Sequence, residues 1–281
     1  MTAATDRAAL GREARRQIPR SAQGAWRPPE NRPDPIALLE AQATTRLPEL
    51  VPVRHGRMLA SPFAYYRGAA LPMASDLASQ PHTGLTVQLC GDAHLNNFGV
   101  FASPERQLMF DINDFDETLP GPWEWDVKRL AASFEVAGRE RGFGAADRRT
   151  IVEAAVREYR LYLRRAAAMG VLEVWYANIT AAEISELITV EVRRGRLTRQ
   201  EARRILADME KARKRDSARA FAKRGRERDG QLSFIPQPPL LVPIDDLMPP
   251  GRDREQHEQA MRRLLRAYRR TLAGDQHPLR E

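Results

Sequence analysis

Acidic and amide side chains gather in two short stretches, Gly91-Asp92-Ala93-His94-Leu95-Asn96-Asn97-Phe98-Gly99 and Phe110-Asp111-Ile112-Asn113-Asp114-Phe115-Asp116-Glu117. Carboxylates held this close repel one another unless a counter-charge sits among them. A divalent cation is the natural relief, because hard ions such as magnesium take the oxygen ligands that Asp and Asn supply. The flanking residues set where the clusters go. Leu85-Thr86-Val87-Gln88-Leu89 alternates as a strand does and runs into the first cluster, and Leu108-Met109-Phe110 runs into the second. Between them lie Phe98-Gly99-Val100-Phe101 and the turn-like Ala102-Ser103-Pro104-Glu105-Arg106-Gln107. The pattern is loop, hairpin, loop, and it brings both clusters to one end of a small sheet. The plainer alternative is an acidic loop that caps strands or holds a structural ion.

Spacing narrows the chemistry. Asn97 follows Asp92 by five residues, and a further Asp comes after a short hairpin. Protein kinases use such a set: an Asp takes the acceptor hydroxyl proton, an Asn holds a metal ion, and a later Asp holds the metal that bridges the phosphates. The stretch resembles the catalytic loop of kinase-like phosphotransferases, above all the aminoglycoside and choline kinase group, where Gly-Asp and a nearby His precede the Asn as Gly91, Asp92 and His94 do. The resemblance implies Asp92 as base, His94 as a loop-orienting residue beside it, and Asn97 with Asp111 or Asp114 as metal ligands. Counting forward from Asn97 favours Asp111; counting back from Asp126 favours Asp114, which also opens an Asp-Phe pair. In that group a downstream Asp opens a helix and anchors the loop. Trp123-Glu124-Trp125-Asp126-Val127-Lys128-Arg129-Leu130-Ala131 is similar, with Val127, Leu130, Ala131 and Phe134 at helical spacing. A metal-ligand role for His94 is disfavoured, since no second His or Cys stands nearby.

The whole signature has a nearer match. Ser61-Pro62-Phe63-Ala64-Tyr65-Tyr66-Arg67-Gly68, the two clusters, and Pro120-Gly121-Pro122-Trp123-Glu124-Trp125-Asp126 together resemble an uncharacterised bacterial family, domain of unknown function 2252, from about Arg54 to Pro243. The resemblance implies a distant kinase-like relationship, ATP and Mg2+ as cofactors, and phosphoryl transfer to an unknown hydroxyl substrate. Arg67 is the candidate for a phosphate, its alternative being an ordinary surface ion pair. One part of a kinase is missing. No glycine-rich loop is present, and the four lysines, Lys128, Lys211, Lys214 and Lys223, lie in helical patterns rather than an apolar strand. The expectation is therefore a truncated member, incomplete or inactive alone, with a second polypeptide supplying the missing lobe. A non-catalytic interaction module is the alternative.

The remaining residues must carry these loops. The expected fold is α+β, a helix-rich kinase-like C-lobe with a small β-hairpin platform. Its divisions are a Pro- and Arg-rich arm over 1–50 with one short helix near Ile36 to Ala43, a catalytic-loop domain over 51–250, and a C-terminal amphipathic helix and tail over 251–281. Ile151, Ala155, Tyr159, Tyr162 and Leu163 form an apolar stripe. Leu172, Val174, Trp175, Tyr176, Ile184, Leu187 and Ile188 read as core. Leu240-Leu241-Val242, flanked by prolines, reads as an edge strand. Met261, Leu264, Leu265 and Tyr268 share one face of the last helix.

The stretch from Arg193 to Arg228 carries most of the formal net charge of +8. Acidic residues interspersed at helical spacing and the scarcity of aromatics favour a solvated helix over a nucleic-acid site. Cys90 is the only cysteine, which excludes an internal disulfide and suits a buried, inert thiol. No apolar run approaches a membrane span, and the N-terminus lacks the apolar core of a secretory signal, so the reading is cytoplasmic.

Overall fold

Helices open the chain. In the computed structural model the described residues are 4–103, 105, 107–213, 224–228, 231–238, 242–248 and 251–271. Packing divides the chain into two units, Met1–Met209 and Glu210–Glu281.

In the first unit, α1 spans Ala4–Gln17 and α2 spans Pro35–Ala43. Only α2 was expected. Asp34 caps it, accepting from the backbone of Ile36 and Ala37, and Pro35 suits the first turn. The unexpected α1 is built from Ala, Arg, Leu and Glu, which form helix readily even without an apolar stripe. Three short helices follow: α3 (Val51–Met58), α4 (Pro62–Gly68) and α5 (Ala70–Ala78). Ser61 caps α4 by accepting from the Ala64 amide.

Four strands carry the loops. β1 (Thr86–Leu89) pairs antiparallel with β4 (Leu119–Pro122), and β2 (Phe98–Ala102) pairs antiparallel with β3 (Leu108–Ile112). The hairpin was expected. A single small sheet was not found, because β1 takes its partner from beyond the second cluster. The result is two separate pairs. Both acidic loops therefore lie between the pairs and cross each other. The hairpin is backed by the amide of Phe110 donating to the Ile179 carbonyl.

The remaining helices of the first unit are α6 (Glu124–Glu140), α7 (Ala145–Ala166), α8 (Val171–Trp175), α9 (Ala181–Arg193) and α10 (Arg199–Arg213), the last of which runs across the division. Thr180 and Glu183 form a capping box at the start of α9. Ile188, Ala202 and Met209 are buried where α9 and α10 meet. The expected core around α8 is corrected by the structure: Leu172, Trp175 and Tyr176 are 71%, 81% and 74% exposed, and Val174 and Leu187 are also exposed. A helix of little more than one turn buries its apolar side chains only where another layer lies against it, and among the described residues none covers these, so apolar content alone misplaced them. The stripe of α7 is covered only over its first half, and Tyr159, Tyr162 and Leu163 are exposed.

In the second unit, Gly225–Arg228 forms β5 and pairs antiparallel with β6 (Gln231–Phe234). The basic helix read through Arg228 is thus interrupted by a strand; the intervening Asp229-Gly230 is a pair that favours tight hairpins. Residues 214–223 of that basic run lie outside the described residues, as do Leu240 and Leu241 of the proposed edge strand. A short α11 (Ile244–Leu247) precedes α12 (Arg252–Thr271), whose Met261, Leu264, Leu265 and Tyr268 are exposed. Helices and short antiparallel pairs make the chain an α+β protein. Among the described residues no helix is long and apolar enough to cross a membrane.

Candidate functional site

The first loop is held from below by α6. Asp126, in its first turn, accepts from the backbone amides of Cys90 at 2.7 Å and Gly91 at 3.1 Å. Burial raises its pKa above the ordinary carboxylate value, while the two amides and Arg129 pull it back down. Those bonds fix the residues immediately before Asp92. Gly91 has a φ of +87°, and a Cβ there would stand 2.0 Å from the Glu117 carbonyl oxygen. Only glycine fits such a crossing of two loops. Further along, the buried Ser133 accepts from the Leu95 amide and donates to the Leu130 carbonyl.

Asn97 joins the two loops. Its side-chain nitrogen donates to the carbonyls of Asp92 at 3.1 Å and Asp114 at 3.0 Å, and lies 3.6 Å from the Cys90 sulfur. With the nitrogen committed to those acceptors, the amide orientation is set and Oδ1 is the atom left for another partner. The backbone repeats the link, since the Asn113 amide donates to the Asn97 carbonyl. The Asn113 side chain rests where a Cβ of Gly99 would be, with 2.3 Å between them.

Asp92 is paired. Arg129, 2% exposed, donates from Nε to Asp92 Oδ1 at 2.5 Å, and its Nη2 also meets that oxygen. Asp92 Oδ2 faces His94 Nε2 at 3.5 Å. Burial holds the imidazole below its ordinary pKa against the pull of Asp92, and Arg129 and Arg67 add to the lowering. His94 is therefore neutral at pH 7, and its Nδ1 is buried without a hydrogen-bond partner. The His94 backbone also shapes the loop, with its amide on the Asp92 carbonyl and its carbonyl taking the Asn97 amide.

The two candidate aspartates of the second loop differ. Asp114 adjoins Asp92 and Asn97 through its backbone, and its Oδ1 accepts from the Asp116 amide at 3.2 Å. Asp111 stands on β3 opposite Gly99, where its Oδ1 accepts from the adjacent Ile112 amide. Arg67 is exposed and has no hydrogen-bond or ion-pair partner among the described residues. Cys90 is buried, and burial pushes its thiol up to about 11.

Several neighbours were not singled out in the sequence. Glu117 has its carboxyl pushed up by loss of water and by Asp92 and Asp114. Tyr66 donates to the Arg129 carbonyl at 2.7 Å, and burial raises its phenol to about 12. Arg54 holds the Gly68 carbonyl at 2.7 Å. Arg129 had a signal available: it is an Arg on the face of a helix whose preceding turn, at Asp126, already anchors the loop.

Asn97 and Asp114 are the residues that could take part in holding a divalent cation, since magnesium that keeps several waters needs only one or two protein oxygens. Asn97 Oδ1 and the second Asp114 oxygen are available for it. Among the described residues no group of three or more His, Cys, Asp and Glu side chains could hold a metal by itself.

Interlocked loops anchored by an aspartate at a helix start define a polar site on an α+β scaffold. Residues 46–281 match the model of a family described as an uncharacterized protein conserved in bacteria, domain of unknown function 2252, and the chain belongs to that family. The match runs further at the C-terminus than the motifs that suggest it, through β5, β6 and α12. No curated protein and no solved structure matches the chain.

Proposed function

We propose that the chain carries the base-and-metal half of a kinase-like phosphotransferase site, serving magnesium-dependent phosphoryl transfer from ATP to a hydroxyl. The observation that carries this reading is the bonding of Asn97. Its nitrogen grips the carbonyl of the Asp five residues earlier and that of the Asp beyond the hairpin, which leaves its oxygen free for a cation. The support by Asp126 and the order of strand, loop, hairpin, loop, strand and anchoring helix add to it.

Asp92 Oδ2 would orient the acceptor hydroxyl and receive its proton as the phosphoryl group leaves ATP, with ADP as the other product. Asn97 and Asp114 would hold Mg2+, with Asp111 as the alternative; the bound ion would neutralise charge on the phosphates. Arg67, exposed and without a side-chain partner among the described residues, lies near enough to act on His94 electrostatically and would meet a phosphate. His94, neutral and buried, would keep Asp92 in place. These residues include no glycine-rich loop with a strand lysine, so their own grip on the nucleotide would be weak. A non-catalytic interaction module is the second reading, favoured by the exposure of Leu172, Trp175 and Tyr176.

Calorimetric titration of the full chain with ATP, with and without magnesium, tests the first reading. Weak binding that needs magnesium and weakens further in Arg67→Ala is expected. Tight binding, or binding indifferent to magnesium, contradicts it.

A further inference from the structure

Arg129 is used more fully than any other cation near the site. Its Nε and Nη2 take Asp92 Oδ1, Nη2 also donates to the Tyr66 carbonyl at 3.0 Å, and Nη1 meets the Met73 sulfur at 3.4 Å. Its guanidinium lies over the Tyr66 ring, 4.6 Å from the centroid, and the Tyr66 hydroxyl returns a bond to the Arg129 carbonyl. A planar guanidinium held on α4, α5 and α6 at once has a fixed direction. The carboxylate it holds is fixed with it.

We propose that Arg129 is a positioning residue that ties down one oxygen of Asp92, withholds that carboxylate from a cation bound at Asn97 and Asp114, and leaves Oδ2 as the oxygen presented to the acceptor. The inference rests on the metal site proposed above and concerns the division of labour within it. Six carboxylates, Asp92, Asp111, Asp114, Asp116, Glu117 and Asp126, lie in or beside the two loops. Without Arg129, Asp92 would be one more anion competing for the ion. With Arg129, one Asp92 oxygen is tied to a cation, and the other faces neutral His94 at 3.5 Å. A base and a metal site can then lie side by side without merging.

Manganese affinity of the full chain, read by electron paramagnetic resonance, tests this. Arg129→Lys keeps the charge and should bind manganese as the wild type does. Arg129→Met frees Asp92 and should bind about tenfold tighter, because an added ligand charge raises the affinity of an oxygen site. Adding Asp92→Asn to Arg129→Met should return the affinity to the wild-type value. That double variant leaves no buried charge unpaired, so it remains informative if Arg129→Met alone does not fold. An unchanged affinity in folded Arg129→Met would overturn the inference. So would a double variant that binds as poorly as Asp114→Asn, since Asp92 would then be a metal ligand already. A wild type that binds no manganese is a different failure, that of the metal site itself, and it removes the ground on which the inference stands.

Discussion

The loops between β1 and α6 and the segment from α7 through α8 use their side chains in opposite ways. In the loops the groups that set the backbone are answered, while His94 Nδ1, Asn97 Oδ1 and one Asp114 oxygen are left without a partner among the described residues. Asp126 takes two amides, Asn97 two carbonyls, Ser133 one bond in each direction, and Arg129 a carboxylate, a carbonyl, a sulfur and a ring. In α8 and the second half of α7, large apolar side chains stand in water. The difference shows where this chain is internally determined. The site loops are shaped by bonds within the chain, so they can hold a geometry before any ligand arrives. In the α8 region Leu172, Trp175 and Tyr176 are exposed among the described residues, so burial of these side chains contributes little there.

That contrast predicts a gradient of effects. The largest loss belongs to Arg129→Met, which strands the Asp92 carboxylate in a mostly buried position. Breaking a buried ion pair on one side destabilises by about 3–5 kcal/mol, so chemical denaturation should show a large drop in the midpoint. A loss below that of an ordinary surface substitution would mean that the pair is not closed in solution. Gly91→Ala comes next. Its Cβ would meet the Glu117 carbonyl at a positive φ. A residue forced into such a region costs about 1–3 kcal/mol, and the crossing of the loops should loosen, visible as faster amide exchange at Cys90 and Gly91.

A smaller effect is read by pH. The folded pKa of His94 lies below its unfolded value of 6.5. Between the two, the unfolded chain binds the extra proton, so the stability His94 provides is complete above about pH 6.5 and is lost as pH falls through the folded pKa. His94→Gln should flatten the stability profile in that acid window and leave the slope above pH 7 alone. An unchanged acid slope would show that the ring is not held neutral. The smallest effect is expected at the other end of the comparison. Trp175→Ser, in the 81% exposed position of α8, should change stability by less than about 0.5 kcal/mol. A loss of several times that would mean that α8 is covered in the folded protein.

The same contrast explains what the sequence could disclose. The spacing from Asp92 to Asn97, the hairpin after it and the Asp126 helix start are short-range features, and local geometry translates them almost directly into the interlocked loops. Asp126 was readable as a support for the same reason. Arg129, one helical turn after Asp126, could be placed near the first loop from the sequence, but its pairing with Asp92 could not, because the Tyr66 and Met73 contacts that aim the guanidinium form only once α4, α5 and α6 have packed. The pairing of β1 with β4 is likewise a tertiary choice: Leu119-Pro120-Gly121-Pro122 has too few strand-forming residues to announce itself. Leu172, Trp175 and Tyr176 misled in the other direction. Apolar residues are read as core, yet a short helix buries them only if a second layer exists. α1 has no apolar stripe to announce it, but eleven of its fourteen residues are Ala, Arg, Leu, Glu or Gln, which form helix readily.

In the divalent-cation site proposed above, Asp114 would face the ion with Asn97, and Asp111 is the alternative. Both carboxylates are exposed, so Asp111→Asn and Asp114→Asn should fold as the wild type does. Thermal unfolding with and without magnesium or manganese separates them most directly. A ligand that binds only the folded state adds about 2.7 kcal/mol of stability at a hundredfold excess over its Kd. Metal should raise the melting temperature of the wild type and of Asp111→Asn, and raise that of Asp114→Asn far less. Equal shifts in all three proteins, or a shift lost only in Asp111→Asn, would contradict that assignment.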